Sequence, residues 1–126
     1  MYNDELVDMI VRQHNAQKIA IKQLKIKSIH KDIIRLKQEN RNIGDKVRNL
    51  LYHVCDNDFK LFICKKEQEL TYKTRIKRDL TTIEYLQKLQ EYNSKLINKH
   101  RSKIKSLRSE LQELKKELSV LKGAKE

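Results

Sequence analysis

Two stretches of the chain carry apolar residues at an unbroken 3-4-3-4 spacing, and no proline occurs anywhere to interrupt them. The first runs Ile26, Ile29, Ile33, Leu36, Asn40, Ile43, Val47, Leu50, Val54. The second runs Ile104, Leu107, Leu111, Leu114, Leu118, Leu121. A 3.5-residue repeat keeps one narrow stripe of a helix facing a partner helix while both supercoil left-handedly. The pattern predicts a coiled coil, which works by touching other molecules and has little room for a chemical pocket.

Composition supports long exposed helices. Charged residues make up 37% of the chain and aromatic residues only 6%, with two glycines. That profile belongs to extended helical assemblies, not to a many-layered core. Disorder is excluded because the leucines and isoleucines are plentiful and periodic.

The net charge of +12 is unevenly placed. Residues 1–58 hold eleven Lys+Arg and eight Asp+Glu; residues 59–126 hold eighteen and nine. A basic coil can meet phosphates, an anionic membrane or an acidic protein surface, since electrostatics favours all three. The longest apolar runs, such as 61–64, fall far short of the roughly 20 residues a membrane span needs. The start, Met1 to Glu5, lacks the basic-then-apolar layout of a signal peptide. Two cysteines, Cys55 and Cys64, are too few for a disulfide scaffold and read as free thiols in a reducing cytosol. The expected location is therefore cytoplasmic.

The predicted architecture is all-α: an elongated antiparallel two-helix coiled-coil hairpin forming a single domain over 1–126. Arm one covers about 3–54, the turn about 55–58 and arm two about 59–122. Asn3 or Asp4 is placed to cap arm one, and Gly123 to end arm two. The turn is assigned to Cys55-Asp56-Asn57-Asp58, because Asx side chains compete with helical backbone bonds. Leu6, Ile10, Ala20 and Leu24 form a stripe broken by Gln13 and Gln17. Asn40 falls on the seam, where a lone Asn either fixes register or bends to solvent. Gly44 reads as a soft spot, not a break. Leu86, Leu89 and Leu96 drift from the stripe of Ile76, Leu80 and Ile83, which suggests a stutter.

A turn near 57 makes residue i face about 114 − i, as in any antiparallel pair of helices. The second arm then projects past the first, and Leu111, Leu114, Leu118 and Leu121 lack a partner within the chain. A homodimer would cover them. The alternative is one continuous helix about 180 Å long, dimerising along its length.

No catalytic or cofactor set is visible, so the chain reads as non-enzymatic. His14, His30, His53 and His100 are scattered, and no Gly-rich phosphate loop occurs. His53, Cys55, Asp58 and Cys64 are close in sequence but match no common zinc spacing. Three candidate contact sets remain. The first is the ladder Ile104 to Leu121. The second is the basic run Lys95, Lys99, Arg101, Lys103, Lys105, Arg108, with no acid between Glu91 and Glu110. The third is Phe59 and Phe62, which either staple the arms together or are presented to a partner. Nucleic acid is a weaker partner class, because stacking aromatics and reader motifs are missing.

The segment Ile34-Arg35-Leu36-Lys37-Gln38-Glu39-Asn40-Arg41-Asn42-Ile43, with Glu67 to Glu91 after it, has a recognisable texture. Together with the basic, proline-free hairpin plan it resembles the central-stalk proteins of bacterial type III secretion and flagellar export, the FliJ and SctO group. The resemblance spans most of the chain and is one of architecture and composition. It implies a hexameric ATPase ring as partner, and the export gate or chaperones as further ones. Such stalks are similar to the gamma subunit of rotary ATPases: a two-helix coil enters the ring's pore and promotes ATP turnover without hydrolysing ATP. It implies that about 1–15 and 100–122 sit in the pore and that Phe59 and Phe62 face the export gate. The other readings are a self-associating scaffold coil, such as a viral or cytoskeletal assembly subunit, and a basic nucleic-acid-binding coil.

Overall fold

The computed structural model describes residues 4–123, with side chains over 4–120. Two long α-helices form an antiparallel hairpin: α1, Asp4–Ile63, and α2, Glu69–Gly123. A short 3-10 turn, Lys66–Gln68, leads into α2. The first-turn acids Asp4 and Glu5 suit the positive end of the α1 dipole. Asn3 lies outside the described residues, as does everything after Gly123.

The turn is not at 55–58. α1 runs straight through Cys55, Asp56, Asn57 and Asp58 and ends at Ile63. Two interactions hold the Asx run helical. Asp56 pairs with Lys60 one turn on, at 3.0 Å, and Asn57 is buried on the seam in phase with Val54 and Leu61. The chain reverses at Cys64-Lys65 instead. Lys65 is extended (φ −73°, ψ 152°), its carbonyl accepts the Gln68 N–H at 2.9 Å, and the Cys64 thiol donates to the Leu61 carbonyl at 3.3 Å. The later turn makes the arms 60 and 55 residues long, so the long projection expected of the second arm is replaced by a near match.

The register moves accordingly. Asn40 meets Asn93 and Lys22 meets Glu110, so residue i stands opposite about 132 − i. On α1 the least exposed positions recur at 3-4 spacing from Asp8 through Arg12, Asn15, Ile19, Lys22 and Ile26 to Cys64. On α2 the same spacing runs from Glu69 through Tyr72, Ile76, Asp79, Ile83, Leu86, Gln90, Asn93, Ile97, His100, Ile104 and Leu107 to Leu118. No stutter interrupts the second helix. Polar side chains at Gln90, Asn93 and His100 occupy seam positions, and that mimics a phase slip when only apolar residues are counted.

The pairing divides into two units. The central unit is Ile34–Ile97; the terminal unit joins the stretch up to Ile33 with the stretch from Asn98. In the central unit Ile43, Val47 and Ile83 form the core, with Leu50, Val54, Leu86 and Leu89 packed on it. Beside them lies a polar layer. Asn93, only 3% exposed, donates to Asn40 Oδ1 at 3.0 Å, and Gln90 Nε2 donates to the Asn40 carbonyl at 3.0 Å. Asn40 Nδ2 in turn lies 3.4 Å from the Gln90 carbonyl and from Ser94 Oγ. A buried polar layer satisfied only in one alignment is a device for fixing register. α1 continues through Gly44 without a break.

Candidate partner-binding surfaces

The ladder of α2 is part of the hairpin's own seam. Ile104 and Leu107 are buried at 4% and 8% exposure, and Leu111, Leu114 and Leu118 are half-buried. The side chain of Leu121 lies outside the described residues. Leu114 shares a shallow groove with Ile21, Lys18 and Lys25 of α1. These leucines therefore have a partner within the chain, and the register shift explains why: opposite them stands the start of α1, not empty space.

The basic run is differently disposed. Lys95 belongs to the central unit and is paired with Glu91 at 3.6 Å. Lys99, Arg101, Lys103, Lys105 and Arg108 are exposed on the terminal unit. Arg108 Nη2 reaches across to His30 Nε2 at 3.3 Å. The antiparallel register brings α1 cations beside them: Lys25, Lys27 and Lys31 are also exposed. Stretches 22–33 and 98–109 together hold nine Lys or Arg against one acid, Asp32. The α1 share was invisible while the register was taken as 114 − i. One cation of this region is committed elsewhere: Lys22 donates to Glu110. That hydrogen bond, then the Lys22 charge, hold the Glu110 carboxyl below its ordinary value, with burial opposing and Lys25 assisting.

Phe59 and Phe62 do not staple the arms. They lie in the last two turns of α1 at 63% and 88% exposure, with Ile63 at 62% and Leu70 at 76% beside the reversal. They belong to the central unit, whereas the ladder and most of the basic run belong to the terminal one.

A fourth surface is new. The stripe Leu6, Ile10, Ala20, Leu24 does not continue the inner seam. Over this stretch the inner seam is Asp8, Arg12, Asn15, Ile19, Lys22 and Ile26, and the stripe lies on the opposite side of α1. Leu6, Ile10 and Leu24 are 56%, 59% and 66% exposed. Hydrophobicity picks the wrong face here, because four of the inner positions are polar or charged. The helix keeps its phase because the long seam from Ile26 onward dictates it.

No group of three or more His, Cys, Asp or Glu that could hold a metal ion occurs among the described residues. None of their helices is long and apolar enough to cross a membrane. Neither a protein-family model, nor a curated protein, nor a solved structure matches the chain.

Proposed function

We propose that this chain is a non-enzymatic coiled-coil stalk that acts by protein contact through its terminal unit. The observation that carries the reading is the belt of exposed cations contributed by both helices: Lys25, Lys27 and Lys31 on α1 with Lys99, Arg101, Lys103 and Lys105 on α2. Positive charge on two adjacent helices surrounds the coil instead of forming one groove-reading strip. It suits insertion into a site lined with carboxylates. The resemblance to the FliJ and SctO stalks supplies the partner: a hexameric type III secretion ATPase in the cytoplasm, whose assembly and turnover the stalk promotes. In this reading Phe59 and Phe62 serve a second contact at the export gate or with chaperones.

The inner leucines drop out as contact residues, since replacing them would disturb the seam itself. The test uses the exposed charges. Tagged protein is drawn from its native lysate at about 0.15 M salt after nuclease treatment, and the retained proteins are identified by mass spectrometry. Recovery of a hexameric ATPase, lost when Lys99, Arg101 and Lys103 are replaced by Glu, supports the stalk reading. Recovery of the chain alone removes it in favour of a scaffold. Recovery of nucleic acid without nuclease, with affinity falling linearly in log–log terms with salt, points to phosphate contacts instead.

A further inference from the structure

A two-helix hairpin needs one apolar stripe per helix, facing its partner. Over residues 6–24, α1 turns a mostly polar seam toward α2 and carries a second stripe on its outside: Leu6, Ile10, Gln13, Gln17, Ala20 and Leu24, all exposed. Its flanks are apolar as well: Val7, Met9 and Ile21 are 44%, 61% and 54% exposed. Past Leu24 the outer positions turn basic at Lys27 and Lys31. The corresponding outer positions of α2 in the terminal unit are Ser102, Lys105, Ser109, Gln112 and Lys116, which are polar throughout. Only one helix of the pair offers a second seam, and it has definite ends.

Three features say what covers it. First, the stripe is a palindrome in position. Leu6 and Leu24, Ile10 and Ala20, and Gln13 and Gln17 are each equidistant from residue 15. An antiparallel second copy would place leucine on leucine at both ends and a pair of glutamines at the middle, where their amides can exchange hydrogen bonds. Second, charge agrees with that direction. Glu5 lies exposed at one end of the stretch and Lys25 and Lys27 at the other. Antiparallel pairing sets acid beside base; parallel pairing stacks like on like. Third, Ile10, Gln13, His14 and Gln17 line a shallow hollow on this face. Those are the i, i+3, i+4, i+7 positions of a hole that accepts a knob from a facing helix.

We infer that a second copy of this chain docks here, antiparallel, through the outer face of α1 between Leu6 and Leu24, giving a twofold dimer. The contact is isologous, the same patch on both copies. A single helical face of this length is small for a protein interface, so the dimer should dissociate on dilution to about micromolar concentration. The same face cannot also sit in a partner's pore. The dimer is thus the form of the protein free of its partner, and its existence does not depend on who that partner is.

Sedimentation equilibrium of the full chain, from about one to one hundred micromolar, tests the proposal. The expected result is twice the chain mass at the upper end. Ile10→Asp with Leu24→Asp should reduce this to the monomer mass while leaving helical content unchanged, since neither side chain touches the inner seam. Direction is read by disulfide trapping, with Cys55→Ser and Cys64→Ser as background. Mixing Gln13→Cys with Gln17→Cys chains should give the crosslink, and Gln13→Cys alone should not. A monomer at every concentration, a dimer untouched by the double Asp variant, or efficient crosslinking of Gln13→Cys to itself would each overturn it.

Discussion

The central unit and the terminal unit use the same heptad spacing for different ends. In the central unit the seam is mostly aliphatic, its polar layer is fully paired around Asn40, and charges are matched along the helix surface. Asp56 pairs with Lys60, Glu69 with Lys73, Glu84 with Lys88 and Glu91 with Lys95. Such i,i+4 pairs add a few tenths of a kcal/mol each. In the terminal unit Asn15 and Lys22 occupy inner positions, the outside of α1 is apolar, and the cations of both helices outnumber their acids. The terminal unit still buries Ile29, Ile33, Ile104 and Leu107 on its seam, but it adds an exposed apolar stripe on the outside of α1, whereas the exposed apolar residues of the central unit include Phe59, Phe62, Ile63 and Leu70 near the reversal.

The largest expected effect lies in the core. Ile43→Ala or Ile83→Ala should cost about 2–4 kcal/mol, because each removes buried methyl groups from the aliphatic core of the central unit. Ile10→Ala should cost the monomer under about 0.5 kcal/mol, as expected of an exposed position. Denaturant unfolding at low protein concentration compares the two, and equal losses would erase the distinction between the regions.

Next comes Asn40→Ala. It leaves Asn93 without its 3.0 Å partner at 3% exposure, and an orphaned buried amide costs about 1–3 kcal/mol. Asn40→Leu should retain more stability but relax the register, broadening the distances measured between spin labels on α1 and α2.

Gly44→Ala should stabilise by up to about 1 kcal/mol through helix propensity alone. The added methyl would meet Gln90 Nε2 at 3.4 Å, an ordinary contact. A loss instead would mean that Gln90 cannot keep its bond to the Asn40 carbonyl. A thermal melt decides the sign.

The smallest effect concerns Glu110. Its carboxyl is held below the ordinary value by the Lys22 hydrogen bond and charge. A depressed folded-state pKa means that the contribution is present above the ordinary carboxylate range. It is lost as pH falls through the folded value. Glu110→Gln should therefore lower the melting temperature slightly at neutral and alkaline pH and converge with the parent chain in strong acid, flattening the acid side of the profile.

The fold class was legible because the ladder from Ile26 to Val54 has one phase and no interruption. The turn was not. Sequence logic looks for Pro, Gly or Asx, and the reversal at Ile63-Cys64-Lys65-Lys66 has none of them, while the Asx run that looked like a turn is held helical by Lys60 and by Asn57 on the seam. Placing the turn near 57 instead of at the reversal between Ile63 and Glu69 moved the register by twice the displacement. It hid the partner of Leu111, Leu114 and Leu118 and the α1 half of the basic belt. The exposed faces of Phe59 and Phe62 were foreseen as one of two alternatives. The outer stripe of α1 is legible as a pattern broken by Gln13 and Gln17, but its side is not, since hydrophobicity cannot say which of two faces a helix turns toward its partner.

Hydrogen exchange of the full chain, followed by mass spectrometry at a low and a high protein concentration, tests the division of labour most directly. Amides of 36–50 and 83–93 should be the slowest at both concentrations, and those of 4–24 should be fast when dilute and gain protection when concentrated. Protection of 4–24 that equals the central unit's and ignores concentration would contradict the account.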